Sequence, residues 1–178
     1  VDGARGPRGR RVTVPTKDYA RQYAALWDEL EPALRRAFFN DDPILGEAVE
    51  TFERRFAERH GPASIGVGTA SGTDAALLLY RALELRPGDE IVTSGHTFAG
   101  VLSAMIVAGL VPRLVDPDPE TGRLRPADVA AQIGPRTRAV MAVHMHGHPE
   151  PVDALAGLCA ERGVMLLEDC AQAHGARW

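Results

Sequence analysis

The sequence predicts an α/β fold, a mostly parallel sheet with helices on both faces, preceded by N-terminal helices. Three observations carry this. From residue 62 onward, short apolar runs alternate with helix-sized segments. The apolar runs are too short to be helices and are rich in Val, Ile and Leu, as buried parallel strands are. The segments between them are about 10–15 residues long, enough for the crossover that joins parallel strands.

The elements follow in order. Asp18 to Phe39 reads as an amphipathic helix, because Tyr19, Tyr23, Leu26, Leu30 and Leu34 recur near helical spacing. Asp41-Asp42-Pro43 breaks it. Gly46 to His60 is a second helix with Val49, Phe52 and Phe56 on one side, ended by Gly61-Pro62. Five strands are then expected: Ser64–Thr69, Glu90–Ser94, Val111–Asp116, Arg138–His144 and Val164–Asp169. The helices between them are Asp74–Leu85, Ala99–Ala108, Pro126–Ile133 and Pro151–Arg162. Arg86-Pro87-Gly88, Gly109 and Gly163 supply helix stops. The implied organisation is a flexible tail over 1–15, a helical segment over 16–61 and an incomplete α/β domain over 62–178.

Composition narrows the class. A chain of 178 residues that is 45% hydrophobic can bury a substantial core. Its net charge of -4 argues against nucleic acid or a membrane surface as partner. No apolar run reaches the ~20 residues of a membrane span, and Val1 to Arg11 lacks the apolar stretch of a secretion signal. Arg5, Arg8, Arg10 and Arg11 read as a solvated tail. Cys159 and Cys170 have neither disulfide-framework nor metal spacing, so reduced thiols and a cytoplasmic setting are expected.

Candidate chemistry gathers at strand ends. Gly66-Val67-Gly68-Thr69-Ala70-Ser71-Gly72-Thr73-Asp74 joins the first expected strand to a helix. Glycines let backbone N–H groups approach an anion, and a helix start adds partial positive charge. Asp74 suits a phosphate only if its side chain caps the helix and points away. The same residues are also an ordinary helix start that needs no ligand, and the local sequence leaves both readings open. A dinucleotide fingerprint fits poorly, since Ser71 stands where a third glycine belongs and Ser94-Gly95-His96 replaces the acid.

Phe98, after the second expected strand, offers a flat face to a planar cofactor or else caps the core. His144, His146 and His148 alternate, and share a face if the strand continues through them. Gly147 and Pro149 favour a turn there over a metal site. Glu168 and Asp169 are adjacent on a strand and point to opposite faces, so only one can serve a site. Asp169 and Gln172 reach the carboxyl end of that strand, where open α/β sheets bind ligands.

Read together, these segments resemble the DegT/StrS family of sugar aminotransferases, fold type I enzymes that use pyridoxal 5'-phosphate. The resemblance rests on Glu50-Thr51-Phe52-Glu53, Ser71-Gly72-Thr73-Asp74-Ala75 and Gly88-Asp89-Glu90-Ile91-Val92 leading to His96-Thr97-Phe98. Asp116-Pro117, Thr137-Arg138-Ala139-Val140, Val143-His144 with Gly147, and Glu168 through Gly175 continue it in order. It implies that Asp169 pairs with the pyridinium nitrogen and keeps it protonated. It further implies that Gln172 bonds the phenolic oxygen, that Phe98 stacks on the ring, and that Ser71, Gly72 and Thr73 hold the phosphate. The implied reaction moves an amino group from an amino acid to a keto-sugar or keto-cyclitol.

The resemblance places the Schiff-base lysine beyond the Asp/Gln motif, and the only lysine here is Lys17, ahead of the first helix. No catalytic residue is therefore assigned. The expected object is a partial fold type I large domain, under half of a family member and inactive alone, that pairs as a homodimer or with a complementing chain. A non-catalytic subunit of an active aminotransferase and an unrelated nucleotide-binding α/β domain remain as alternatives.

Overall fold

The computed structural model describes residues 17–39, 42 and 44–177. The expected tail, its arginines, and Asp41 and Pro43 of the expected helix break lie outside them. The chain forms two compact units, one reaching to Gly68 and one starting at Thr69.

The first unit contains α1 (Tyr19–Phe39) and α2 (Glu47–Glu58). α1 runs on through Pro32, and its apolar stripe buries no residue. The strand expected at 64–69 does not form. A strand needs a ladder partner, and none pairs with this segment among the described residues. α2 holds it instead: Gly68 N–H donates to Glu53 Oε1 at 2.6 Å. A Cβ on Gly66 would stand 2.5 Å from the Glu53 carbonyl oxygen. Ile65 and Val67 stay exposed.

The second unit carries α3 (Gly72–Ala82), β1 (Glu90–Ser94), α4 (Ala99–Val107), β2 (Val111–Val115), α5 (Pro126–Gln132), β3 (Thr137–Val143), α6 (Val152–Arg162) and β4 (Met165–Asp169). The four strands are all parallel, in the order β2-β1-β3-β4. Two cores explain why the sequence reads as it does. Tyr80, Ile91, Met105, Met141, Val143 and Leu167 cluster on the face covered by α3 and α4. Val92, Val129, Val140, Ala142, Leu155 and Cys159 cluster on the face covered by α5 and α6. Ile91 and Val92 divide between the faces, as successive strand residues must. Each large side chain buried this way contributes about 1.5–3 kcal/mol.

The chain leaves β1 for β2 on one side, then crosses back to place β3 on the other. That reversal opens a crevice at the carboxyl ends of β1 and β3, where ligands of open α/β sheets sit. Both cysteines are free, and burial pushes their thiols above the ordinary range. Among the described residues no helix is long and apolar enough to cross a membrane.

Glu150 is a buried acid that ties the loop before α5 to the segment before α6. Its Oε2 accepts from Leu124 N–H at 2.7 Å. Burial pushes its carboxyl above the ordinary range, and that bond only partly opposes the shift. A carboxyl raised on folding contributes stability below its unfolded value and loses it as pH climbs through the folded one. Glu150→Gln keeps an acceptor without the charge. Thermal melts should show it more stable than the parent at pH 7 by a few degrees, with the gap closing toward pH 4. A variant less stable at pH 7 would contradict this reading of the acid.

Candidate cofactor site at the carboxyl edge of the sheet

The site begins with the turn into α3. Ser71 is the N-cap: its hydroxyl accepts from Asp74 N–H at 3.1 Å and donates to Asp74 Oδ2 at 2.8 Å. The Asp74 carboxylate is thereby folded onto the cap, which is the condition under which a phosphate tolerates it. The Ser71 hydroxyl is committed to the same cap. The N–H groups of Gly72 and Thr73, ahead of the first intrahelical bond, are the donors this turn leaves for an anion.

Thr73 is fixed by contact with α4. A Cβ on Gly100 would stand 2.5 Å from Thr73 Oγ1 and 2.6 Å from Cε1 of Phe98. Only glycine lets these two side chains lie together there, so the α3 turn and the aromatic share one wall. Phe98 is the N-cap residue of α4, and it is 56% exposed. It borders a cleft of about 160 Å³ that Val143, Met145, Asp169 and Gln172 also line.

The floor of the cleft depends on strand register. β3 and β4 pair Val143 with Asp169 and Ala142 with Glu168. Asp169 thus shares the α3/α4 face with Leu167, while Glu168 points the other way. Asp169 Oδ1 accepts from Ala171 N–H at 2.9 Å, so Oδ2 is left for a ligand. Gln172 Oε1 accepts from His146 N–H at 2.7 Å. Because a backbone N–H can only donate, this bond fixes the amide orientation. The Gln172 NH₂ group is then a donor beside the cleft.

The turn expected from Gly147 and Pro149 is present, and it presents His146 N–H. β3 stops at Val143, and Met145–Gly147 form a 3₁₀ turn. His146 has φ 58° and Gly147 has φ 79°, so the three histidines share no strand face. His144 is buried, with Nδ1 accepting from Glu150 N–H at 2.9 Å and Nε2 lying 3.0 Å from Glu168 Oε2. With Nδ1 accepting, the ring proton sits on Nε2 and donates to Glu168. His144, Glu168 and Cys170 bring their ligand atoms within 4.8 Å of one another. This donor set does not suit a metal, because Nε2 has no free lone pair.

Of the six cofactor-facing residues expected from sequence, Phe98, Asp169 and Gln172 line one cleft, and Thr73 touches the same glycine as Phe98. Ser71 and Gly72 form the start of α3. Sequence reasoning missed Gly100 and the His146 N–H. Gly100 stands two residues after Phe98 in a helix start, and a glycine there was the available signal.

This parallel α/β sheet, with a carboxylate, an oriented amide and an aromatic at its carboxyl edge, has the fold of the solved aminotransferases that it matches. The chain belongs to the DegT/DnrJ/EryC1/StrS aminotransferase family, whose pattern covers residues 26–178. Members depend on pyridoxal phosphate. The chain is 37% identical over 171 residues to dTDP-3-amino-3,4,6-trideoxy-alpha-D-glucose transaminase of Streptomyces venezuelae, matching 96% of this chain and 45% of that protein. It superposes on S. venezuelae DesV with a TM-score of 0.85 and 37% identity, covering 91% of this chain and 43% of that one. It resembles NtdA of Bacillus subtilis, solved with bound PMP, with a TM-score of 0.74 and 25% identity over 94% of this chain and 39% of that one. The chain therefore spans about 45% of the length of the curated relatives it matches.

The chemistry of the residues present fits that cofactor. The α3 turn offers amides for a phosphate, Asp169 a free carboxylate oxygen, Gln172 an N–H donor and Phe98 an open ring face. Gly100→Ala tests the wall. The added methyl must displace Thr73 or Phe98, and overpacking of this kind costs about 1–3 kcal/mol. Thermal melting should show a drop of several degrees, and an unchanged midpoint would mean the two side chains are not held as described.

Proposed function

We propose that this chain supplies the cofactor-facing part of an aminotransferase of the sugar or aminocyclitol type. It would move an amino group from an amino acid such as glutamate or glutamine to a keto-sugar or keto-cyclitol. The observation that carries the reading is the convergence of Asp169, Gln172 and Phe98 on one cleft at the sheet's carboxyl edge. The sugar transaminase from S. venezuelae among the relatives supports the substrate class.

When bound, pyridoxal phosphate supplies the electron sink and carries the amino group between donor and acceptor. The residues of this chain bind and orient it. Asp169 would present its carboxylate to the ring nitrogen and favour the protonated form. Gln172, whose amide is oriented by His146 N–H, would donate to the phenolic oxygen. Phe98 would cover one face of the ring. Gly72 and Thr73 offer N–H donors to the phosphate, and the Ser71–Asp74 cap keeps the helix start open to it.

Lys17 is the only lysine among the 178 residues. We place the lysine that completes the chemistry outside them, on further sequence or on a partner chain, and expect these residues alone not to transaminate. The same observation favours a second reading, a non-catalytic subunit that associates with an active aminotransferase.

Pyridoxamine 5'-phosphate needs no lysine to bind and so tests the site directly. Fluorescence titration of the 178-residue chain should give saturable binding. Asp169→Ala should weaken it about tenfold or more, the range of a charge-assisted hydrogen bond. Absence of binding, or equal binding by the variant, would remove Asp169 from the role.

A further inference from the structure

Tyr80 is a misfit in the core. Its side chain is fully buried on α3, in the cluster that contains Val143, with Met145 packed against it. Its hydroxyl has no hydrogen-bond partner among the described residues. Phenylalanine would fill almost the same volume without an orphaned polar atom, and buried hydroxyls are seldom left unpaired.

The surroundings indicate where the hydroxyl belongs. Val143 and Met145, which pack in or on the Tyr80 cluster, also line the cleft with Asp169. Tyr80 therefore lies under the cleft floor on the face to which Asp169 points. Burial raises the phenol's pKa, and the negative charge of Asp169 adds to the rise, so the two groups are within electrostatic reach. The phenol stays a protonated donor. Ala171 N–H occupies only Oδ1 of Asp169, which leaves acceptor capacity on the carboxylate.

We infer that Tyr80 is a positioning residue whose hydroxyl donates to the Asp169 carboxylate across one enclosed water and sets how that carboxylate meets the cofactor ring. The inference rests on the cofactor site proposed above. A donor beneath the carboxylate would fix its rotation and draw off part of its charge.

The test compares the 178-residue chain with Tyr80→Phe, Asp169→Asn and the double variant, using pyridoxamine 5'-phosphate as probe. Tyr80→Phe should weaken binding about three- to tenfold when Asp169 is present, the range of one ordinary net hydrogen bond. It should have no effect on binding when it is added to Asp169→Asn. The ligand-free melting midpoint of Tyr80→Phe should fall by a few degrees when Asp169 is present and should not fall when it is added to Asp169→Asn, since packing is kept and only the contact with the carboxylate is lost. Unchanged binding in Tyr80→Phe, or an equal loss in both backgrounds, would overturn the inference in favour of plain packing. If the parent chain does not bind the probe, the proposed cofactor site fails separately, and the ligand-free melts decide. Non-additive effects of the two substitutions uphold the Tyr80–Asp169 contact, and additive ones end it.

Discussion

The pairing of β4 with β3 is the constraint on which the rest of the site depends. Val143 lies opposite Asp169, and His144 N–H continues the ladder to the Asp169 carbonyl at 3.1 Å. A slip of one residue would exchange the faces of Glu168 and Asp169. The cleft would then receive the wrong acid, and Glu168 would lose His144. The side chains lock the register: Glu168 accepts from His144 Nε2, whose Nδ1 is held by the Glu150 amide. The acid that faces away from the cleft thus holds the other acid in its place.

From that anchor the remaining parts follow the topology. The connections that leave the carboxyl ends of β1 and β3 run to opposite faces of the sheet, because the strand order reverses between them. The turn after β3 swings into the left-handed region at His146 and Gly147 and offers its amide to Gln172. The start of α4 brings Phe98 against the start of α3 because Gly100 leaves room for both. Two acids close to the site are held in different ways. Asp74 is folded onto a helix cap, whereas Asp169 keeps one oxygen free.

The second unit was legible from Glu90 onward because its strands are covered on both faces. Their apolar runs and the intervening helix signals point to the same answer. Helix ends fell within a residue or two where glycine stops them, as at Gly109 and Gly163. The segment 64–69 misled because its pattern is that of a strand, while strand formation depends on a neighbour that local sequence cannot supply. The turn after Val143 was legible in Gly147 and Pro149, whereas the positive φ at His146 was not, since it is not written in residue type. Asp169, Gln172 and Phe98 were legible through their positions after apolar runs and through their family pattern. Gly100 and Tyr80 were not, because their significance lies in contacts with residues far away in sequence.

The protonation state of a cofactor ring bound beside Asp169 tests the central idea most directly. Pyridoxamine 5'-phosphate labelled with ¹⁵N at the ring nitrogen can be bound to the 178-residue chain and observed by NMR at a pH where the free ring is neutral. A carboxylate placed to hold positive charge predicts the ¹⁵N shift of a protonated pyridinium, lost in Asp169→Asn. A neutral-pyridine shift in the unmodified chain would contradict the assignment of Asp169.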